Sequence, residues 1–322
     1  MTTRCTFLAF CANVRMLALG GESHAQQRRG FRVGALNLAD QPSFCMDVWR
    51  AAVRELGYIE GDDILFEIRS GTPEQLPMLA RELARLKVDL ILSVSSPAVK
   101  AAVGLPRPVP IVALDLETDP VASGFVSTLA RPGGNLTGLF LDLPEFSGKQ
   151  LEILREALPG LSHVIVLWDR SMDPAPLKGM ESASRALHLR VSVREVDDES
   201  TLPPIFEDAT TRKAGAIVVM QSPRLLGYRL QILRLAADAR LPVMGMFANF
   251  AETGALLSYG PIEEMCRRRS DYVDRILRGT KPGELPIQRP QKFDFALDMR
   301  TAKAPHLTIP QSVLTRVEQV IR

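Results

Sequence analysis

From Phe31 onward, short apolar or β-branched runs alternate with longer stretches in which apolar residues return every three or four positions. That alternation predicts βα units around mainly parallel sheets. The short runs read as strands at Arg32 to Leu38, Ile64 to Arg69, Asp89 to Val94, Val109 to Leu114 and Leu136 to Leu141. Helices fall between them. Phe44 to Leu56 places Val48, Ala52 and Leu56 on one face, Pro73 to Leu86 does the same with Leu76, Leu79, Leu83 and Leu86, and a third starts at Pro97. The unit is then built again: a helix from Pro144 to Leu158 and strands at His163 to Trp168, Arg190 to Val196, Ala216 to Met220 and Pro242 to Met246. Helices at Pro174 to His188, Leu202 to Lys213 and Pro223 to Ala239 separate them. A helix from Glu263 to Leu277, a Pro- and Gly-rich turn at Gly279 to Pro290, a strand at Phe293 to Leu297 and a short closing helix complete the chain. No long linker parts the halves, which predicts two Rossmann-like lobes joined by short crossings with a cleft between them. One lobe comprises 30–141 plus about 260–283, the other 142–259 plus about 284–322.

Composition narrows the classes. The 322 residues are 46% hydrophobic, enough for a large core and more than one typical domain, although a single α/β barrel also fits that length. Lys plus Arg is 39 against 37 for Asp plus Glu, so no field points to a nucleic acid partner. Cys5, Cys11, Cys45 and Cys266 have no metal-ligand spacing, and His24, His163, His188 and His306 stand far apart, so no metal is expected. Enzyme motifs are missing too. The first strand runs into Gly34-Ala35-Leu36-Asn37-Leu38-Ala39-Asp40 without a dinucleotide fingerprint, and there is neither a phosphate loop nor a Gly-x-Ser-x-Gly elbow. The expectation is a protein without cofactor or catalytic residues.

Residues 1–25 read as a leader: Arg4 precedes an apolar stretch from Cys5 to Val14, and Ser23 and Ala25 suit a cut after Ala25. Arg15 interrupts the apolar run, so a frayed cytosolic tail is the other reading.

Open α/β sheets bind ligands beyond the carboxyl ends of their strands. At those places a Ser or Asp stands before proline: Ser96-Pro97, Asp119-Pro120, Asp173-Pro174 and Ser222-Pro223. Each pair predicts an N-cap and a first helical turn, whose unpaired N–H groups suit a carboxylate. They are also ordinary caps, and recurrence at strand ends is what favours Ser95, Ser96 and Ser222 as binding residues. Asp115, Glu117 and Asp119 form an acidic cluster that either accepts hydrogen bonds from a ligand or lies solvated on a loop. Phe247 to Phe250 reads as a loop offering aromatic ligand contact, Tyr259 is a further aromatic near a strand end, and Trp168 reads as core.

Several runs resemble bacterial ABC-transporter substrate-binding proteins of the TrpX-like group. They are Arg54-Glu55-Leu56-Gly57-Tyr58-Ile59-Glu60-Gly61, Leu83-Ala84-Arg85-Leu86-Lys87-Val88-Asp89, Asp119-Pro120-Val121 and Ser127-Thr128-Leu129-Ala130-Arg131-Pro132-Gly133-Gly134-Asn135-Leu136-Thr137-Gly138. Ser258-Tyr259-Gly260-Pro261, Thr301-Ala302-Lys303-Ala304 and Leu307-Thr308-Ile309-Pro310 follow. The resemblance implies a type I periplasmic-binding fold. It also implies an exported, periplasmic, monomeric receptor that captures a small solute by lobe closure and hands it to an ABC permease in the inner membrane. Carried over by strand ends, its binding positions are Asn37, Ser95, Ser96, Asp115, Asp119, Asp169, Ser222 and Asn249. The chain departs from the family at Ser93-Val94-Ser95-Ser96-Pro97, where glycine and threonine are usual, and at Thr118, where glycine is common. An amino acid or related carboxylate is the expected solute. The rivals are a two-domain α/β enzyme on a small metabolite and a cytosolic solute sensor.

Overall fold

The computed structural model describes residues 30–38, 44–115, 119–141, 143–172, 174–303 and 307–322. The leader at 1–25, Glu117 and the Asp173 cap lie outside them.

The first sheet contains β1 (Phe31–Leu38), β2 (Ile64–Gly71), β3 (Leu90–Val94), β4 (Ile111–Asp115) and β5 (Leu136–Phe140), with α1 (Phe44–Glu55), α2 (Leu76–Arg85) and α3 (Ser96–Val103) between strands. All its pairings are parallel, in the order β2-β1-β3-β4-β5. Right-handed βα crossovers put helices on both faces of such a sheet, so its central strands are apolar throughout. Leu36, Leu83, Val99 and Ile111 pack with α2 and α3 on one side, and Val33, Trp49, Leu92 and Val273 on the other.

The second half begins with α4 (Leu143–Ala157) and continues through β6 (His163–Trp168), α5 (Ala175–Ala186), β7 (Arg190–Glu195), α6 (Leu202–Thr211) and β8 (Ala216–Val219). Then come α7 (Pro223–Gly227), α8 (Arg229–Asp238), β9 (Val243–Gly245), α9 (Ala248–Glu252), β10 (Leu257–Gly260) and α10 (Ile262–Leu277). β11 (Asp294–Asp298), α11 (Met299–Lys303), α12 (Gln311–Leu314) and β12 (Gln319–Ile321) close the chain. The second sheet has the order β12-β11-β10-β9-β8-β6-β7, parallel except where β11 meets β10. That reversal follows from the route of the chain: α10 leaves to pack on α1, β4 and β5 of the first half, and the chain returns at the edge it left, where Asp294 of β11 lies opposite Gly260 of β10.

The return path also binds the first sheet. The Phe140 N–H donates to the Gln288 carbonyl at 3.0 Å and the Gln288 N–H to the Gly138 carbonyl at 3.1 Å, while Leu285 is buried in the first core. The chain therefore crosses after Leu141, after Gly260 and again between Arg289 and Phe293.

Several predicted details are corrected. Leu56 is exposed, because the helix ends at Gly57, which takes φ +90, and the buried face of α1 is instead Met46, Trp49, Ala52 and Val53. The helix expected over Pro223 to Ala239 breaks into two at Tyr228, next to Gly227. β10, α9, α11 and β12 escape the periodicity, since elements of three to five residues span less than two turns or alternations.

Candidate functional site

The strand registers align the carboxyl ends. In the first sheet Leu36 pairs with Ser93 and Val94 with Leu114, which brings Asn37, Ser95 and Asp115 to one edge on three adjacent strands. All three are buried. The Ser95 N–H donates to the Leu114 carbonyl at 3.0 Å and the Leu141 N–H to the Asp115 carbonyl at 3.1 Å, so β4 holds the loops on either side.

Ser95 is the residue under strain. Its φ of 83 and ψ of 153 lie where essentially only glycine is comfortable. It stands at the N-cap position of α3, yet its side chain makes no capping bond, and its hydroxyl is buried without a hydrogen-bond partner. Ser96, expected as the cap, is instead the first helical residue, because Pro97 fits the second position of the helix as well as the first. A strained backbone, an unpaired donor and the amide end of an eight-residue helix thus converge on one spot. Ser95→Gly is expected to raise folding stability by about 1 kcal/mol, the relieved strain exceeding the entropy cost of glycine. A lower melting midpoint for that variant would show that the serine conformation carries no strain.

The second sheet builds the facing edge. Leu167 pairs with Val219, setting Asp169 beside Gln221 and close to Ser222. Ser222 caps α7 by accepting from the Leu225 N–H at 3.2 Å, and its own hydroxyl donates to Asp169 Oδ2 at 2.6 Å. Asp169 Oδ1 accepts from the Ser171 N–H and hydroxyl and from Arg224 Nη1 at 2.9 Å. With the carboxylate 2% exposed and both oxygens engaged, Asp169 acts as a hub that orients Arg224. The guanidinium remains partly exposed at the edge. Asn249 lies in α9, and its buried Oδ1, like Gln221 Oε1 and the Trp168 indole nitrogen, has no partner.

Not every expected residue joins these edges. Asp119 is exposed, and its carboxylate accepts from the Val121 and Ala122 N–H groups, so it caps a turn and not a helix. Phe250 is buried against Gly245 in the second core, where it fills the space a glycine side chain leaves. The segment around it is a short helix, which overturns the loop reading. Tyr259 stacks on Phe146 and Phe293. Arg224, Gln221 and Ser171 were missed. Arg224 had a sequence signal: a cation in the first turn of a helix opposes the helix dipole and is tolerated where a carboxylate holds it.

Residues 46–321 match the family described as ABC transporter substrate binding protein. The chain belongs to that family. It is 22% identical over 284 residues to the tyrosine-binding protein of Clostridioides difficile (strain R20291), covering 84% of this chain and 80% of that one. Among solved structures it is similar to an ABC domain from Streptococcus pneumonia in complex with L-Trp, with a TM-score of 0.79, 21% identity and coverage of 91% of this chain and 100% of that one. A conserved domain protein from Vibrio cholerae matches with a TM-score of 0.78, 23% identity and the same coverages. These likenesses show the fold, a type I periplasmic-binding architecture with two parallel-rich sheets.

Proposed function

We propose that this substrate-binding protein is the extracytoplasmic receptor of an ABC importer. It captures a small carboxylate-bearing solute, an aromatic amino acid first, between the two strand edges. Its lobes comprise 30–141 with about 260–283, and 142–259 with about 284–322, except that the first of these tails extends to about 288 because Leu285 and Gln288 bind the first half. The carrying observation is Ser95: a buried, unpaired hydroxyl on strained backbone at the start of α3 is a preorganised donor set for a carboxylate. Arg224, Gln221 and Asn249 supply donors and acceptors on the opposite edge, and Asp115 and Asn37 flank the first. The curated relative that binds tyrosine and the solved one holding L-Trp support an aromatic amino acid. Closure would desolvate the ligand, so a solute lacking the matching groups would leave buried polar atoms unpaired. Binding the closed form better then shifts the population toward the shape a permease recognises.

One observation supports a site of action outside the cytoplasm: Cys266 is buried and disulfide-bonded, which an oxidising compartment favours.

A thermal-shift screen of L-tryptophan, L-tyrosine, 4-hydroxybenzoate, aliphatic amino acids, sugars and nucleosides tests the ligand class. Stabilisation by one of the aromatic carboxylates, of about 3 kcal/mol at a hundredfold excess over Kd, is the expected result. A response to sugars or nucleosides alone would overturn the assignment.

A further inference from the structure

A cavity of about 940 Å³ lies between the upper turns of α4 and α5 and the crossings that join the two halves. All three crossings line it, through Leu141, Tyr259 and Arg289. One wall is a set of three nearly parallel rings: Phe146, Tyr259 and Phe293, with centroids 5.3 to 5.8 Å apart and planes within 19°. Its floor is made of small residues, Gly148, Gly179 and Ala183, where α4 and α5 approach so closely that a Cβ on Gly179 would collide with the Pro144 carbonyl. Three cations and two acids border it. Lys149 pairs with Glu152 at 2.8 Å and Arg289 with Glu145 at 3.9 Å, whereas Lys178 makes no ion pair among the described residues.

We propose that this cavity is a second small-molecule site, taking a flat aromatic anion, whose occupant biases the angle between the lobes. The shape follows from the walls: an aromatic face on one side and a floor without long side chains admit a planar ring and stack it. The charge follows from Lys178, whose ammonium offers three donors. The coupling rests on the two-lobe reading above. A body wedged among all three crossings contacts the segments that must move when the lobes turn, so it binds one angle better than another. None of the residues of either strand edge takes part, so the cavity is separate from the solute site.

The test uses naphthalene-2-sulfonate, a flat aromatic anion, titrated against the full chain by its own fluorescence. Saturable binding to one site is expected, with a change in radius of gyration by small-angle scattering when the probe saturates. Lys178→Glu, an exposed position, is expected to weaken binding about fivefold or more. Ser182→Trp, on the exposed rim, is expected to remove it. No saturable binding by the wild type, or full binding by Ser182→Trp, would overturn the site, and an unchanged radius of gyration would overturn the coupling. Repeating the thermal-shift screen on Ser182→Trp keeps the two readings apart: stabilisation by aromatic carboxylates that survives in this variant belongs to the strand edges, and stabilisation that it loses belongs to this cavity.

Discussion

Gly138→Ala is expected to lose about 3 kcal/mol or more of folding stability, among the largest effects of any single methyl group in this chain. The residue holds φ +141, and a Cβ built there would stand 2.2 Å from the carbonyl oxygen and 2.6 Å from the nitrogen of Ala113 on the neighbouring strand. Neither atom is the end of a flexible side chain. Both belong to β4, which pairs through Ala113 with Gly138 itself. Relief would require separating β4 from β5, and β5 is also the strand that receives the returning segment, since the Gly138 carbonyl accepts from the Gln288 N–H. Gly138 ends the Leu-Ala-Arg-Pro-Gly-Gly-Asn-Leu-Thr-Gly run, so the close strand approach gives a physical reason for glycine at that place in the motif. Equilibrium urea unfolding measures the loss. A variant within 0.5 kcal/mol of wild type, roughly the scatter of neutral surface changes, would show that the strands absorb the methyl group without cost.

Asp169→Ala is expected to cost about 3 kcal/mol of stability and to weaken solute binding by a factor of ten or more. The carboxylate is the acceptor for the Ser222 and Ser171 hydroxyls and the Ser171 N–H, as well as for Arg224. Its removal strands the buried Ser222 hydroxyl and breaks the ion pair that holds the partly exposed Arg224. Arg224 then loses its anchor, and an unanchored guanidinium must be ordered by the solute at the solute's expense. Asp169→Asn separates the two effects, because an amide oxygen still accepts from a hydroxyl while the ion pair is gone. Denaturant unfolding together with calorimetric titration of the stabilising solute reads both quantities. Solute affinity unchanged in Asp169→Asn would mean that Arg224 faces away from the bound molecule.

Gly138 lay within a run that marked the family, but its backbone collision exists only because β4 and β5 lie side by side. Asp169 and Ser222 were both expected at strand ends, yet 53 residues separate them, and their hydrogen bond needs β6 and β8 to be neighbours. As sequence positions they looked like two ligand contacts. In the fold, Asp169 is occupied by protein groups, among them Arg224, two residues beyond Ser222.

Local patterning by itself determined the element types, the doubling of the βα unit and the strand ends where polar residues gather. Periodicity and caps are short-range properties, and a parallel sheet places every strand-to-helix loop at its carboxyl edge. Tertiary packing alone decided that Trp49 would be buried and that Ser95, tied to Leu114 of the neighbouring strand, would bear the strain. Those outcomes depend on which strand lies beside which and where the chain recrosses. Contacts between residues distant along the chain set both, and no local window of sequence contains them.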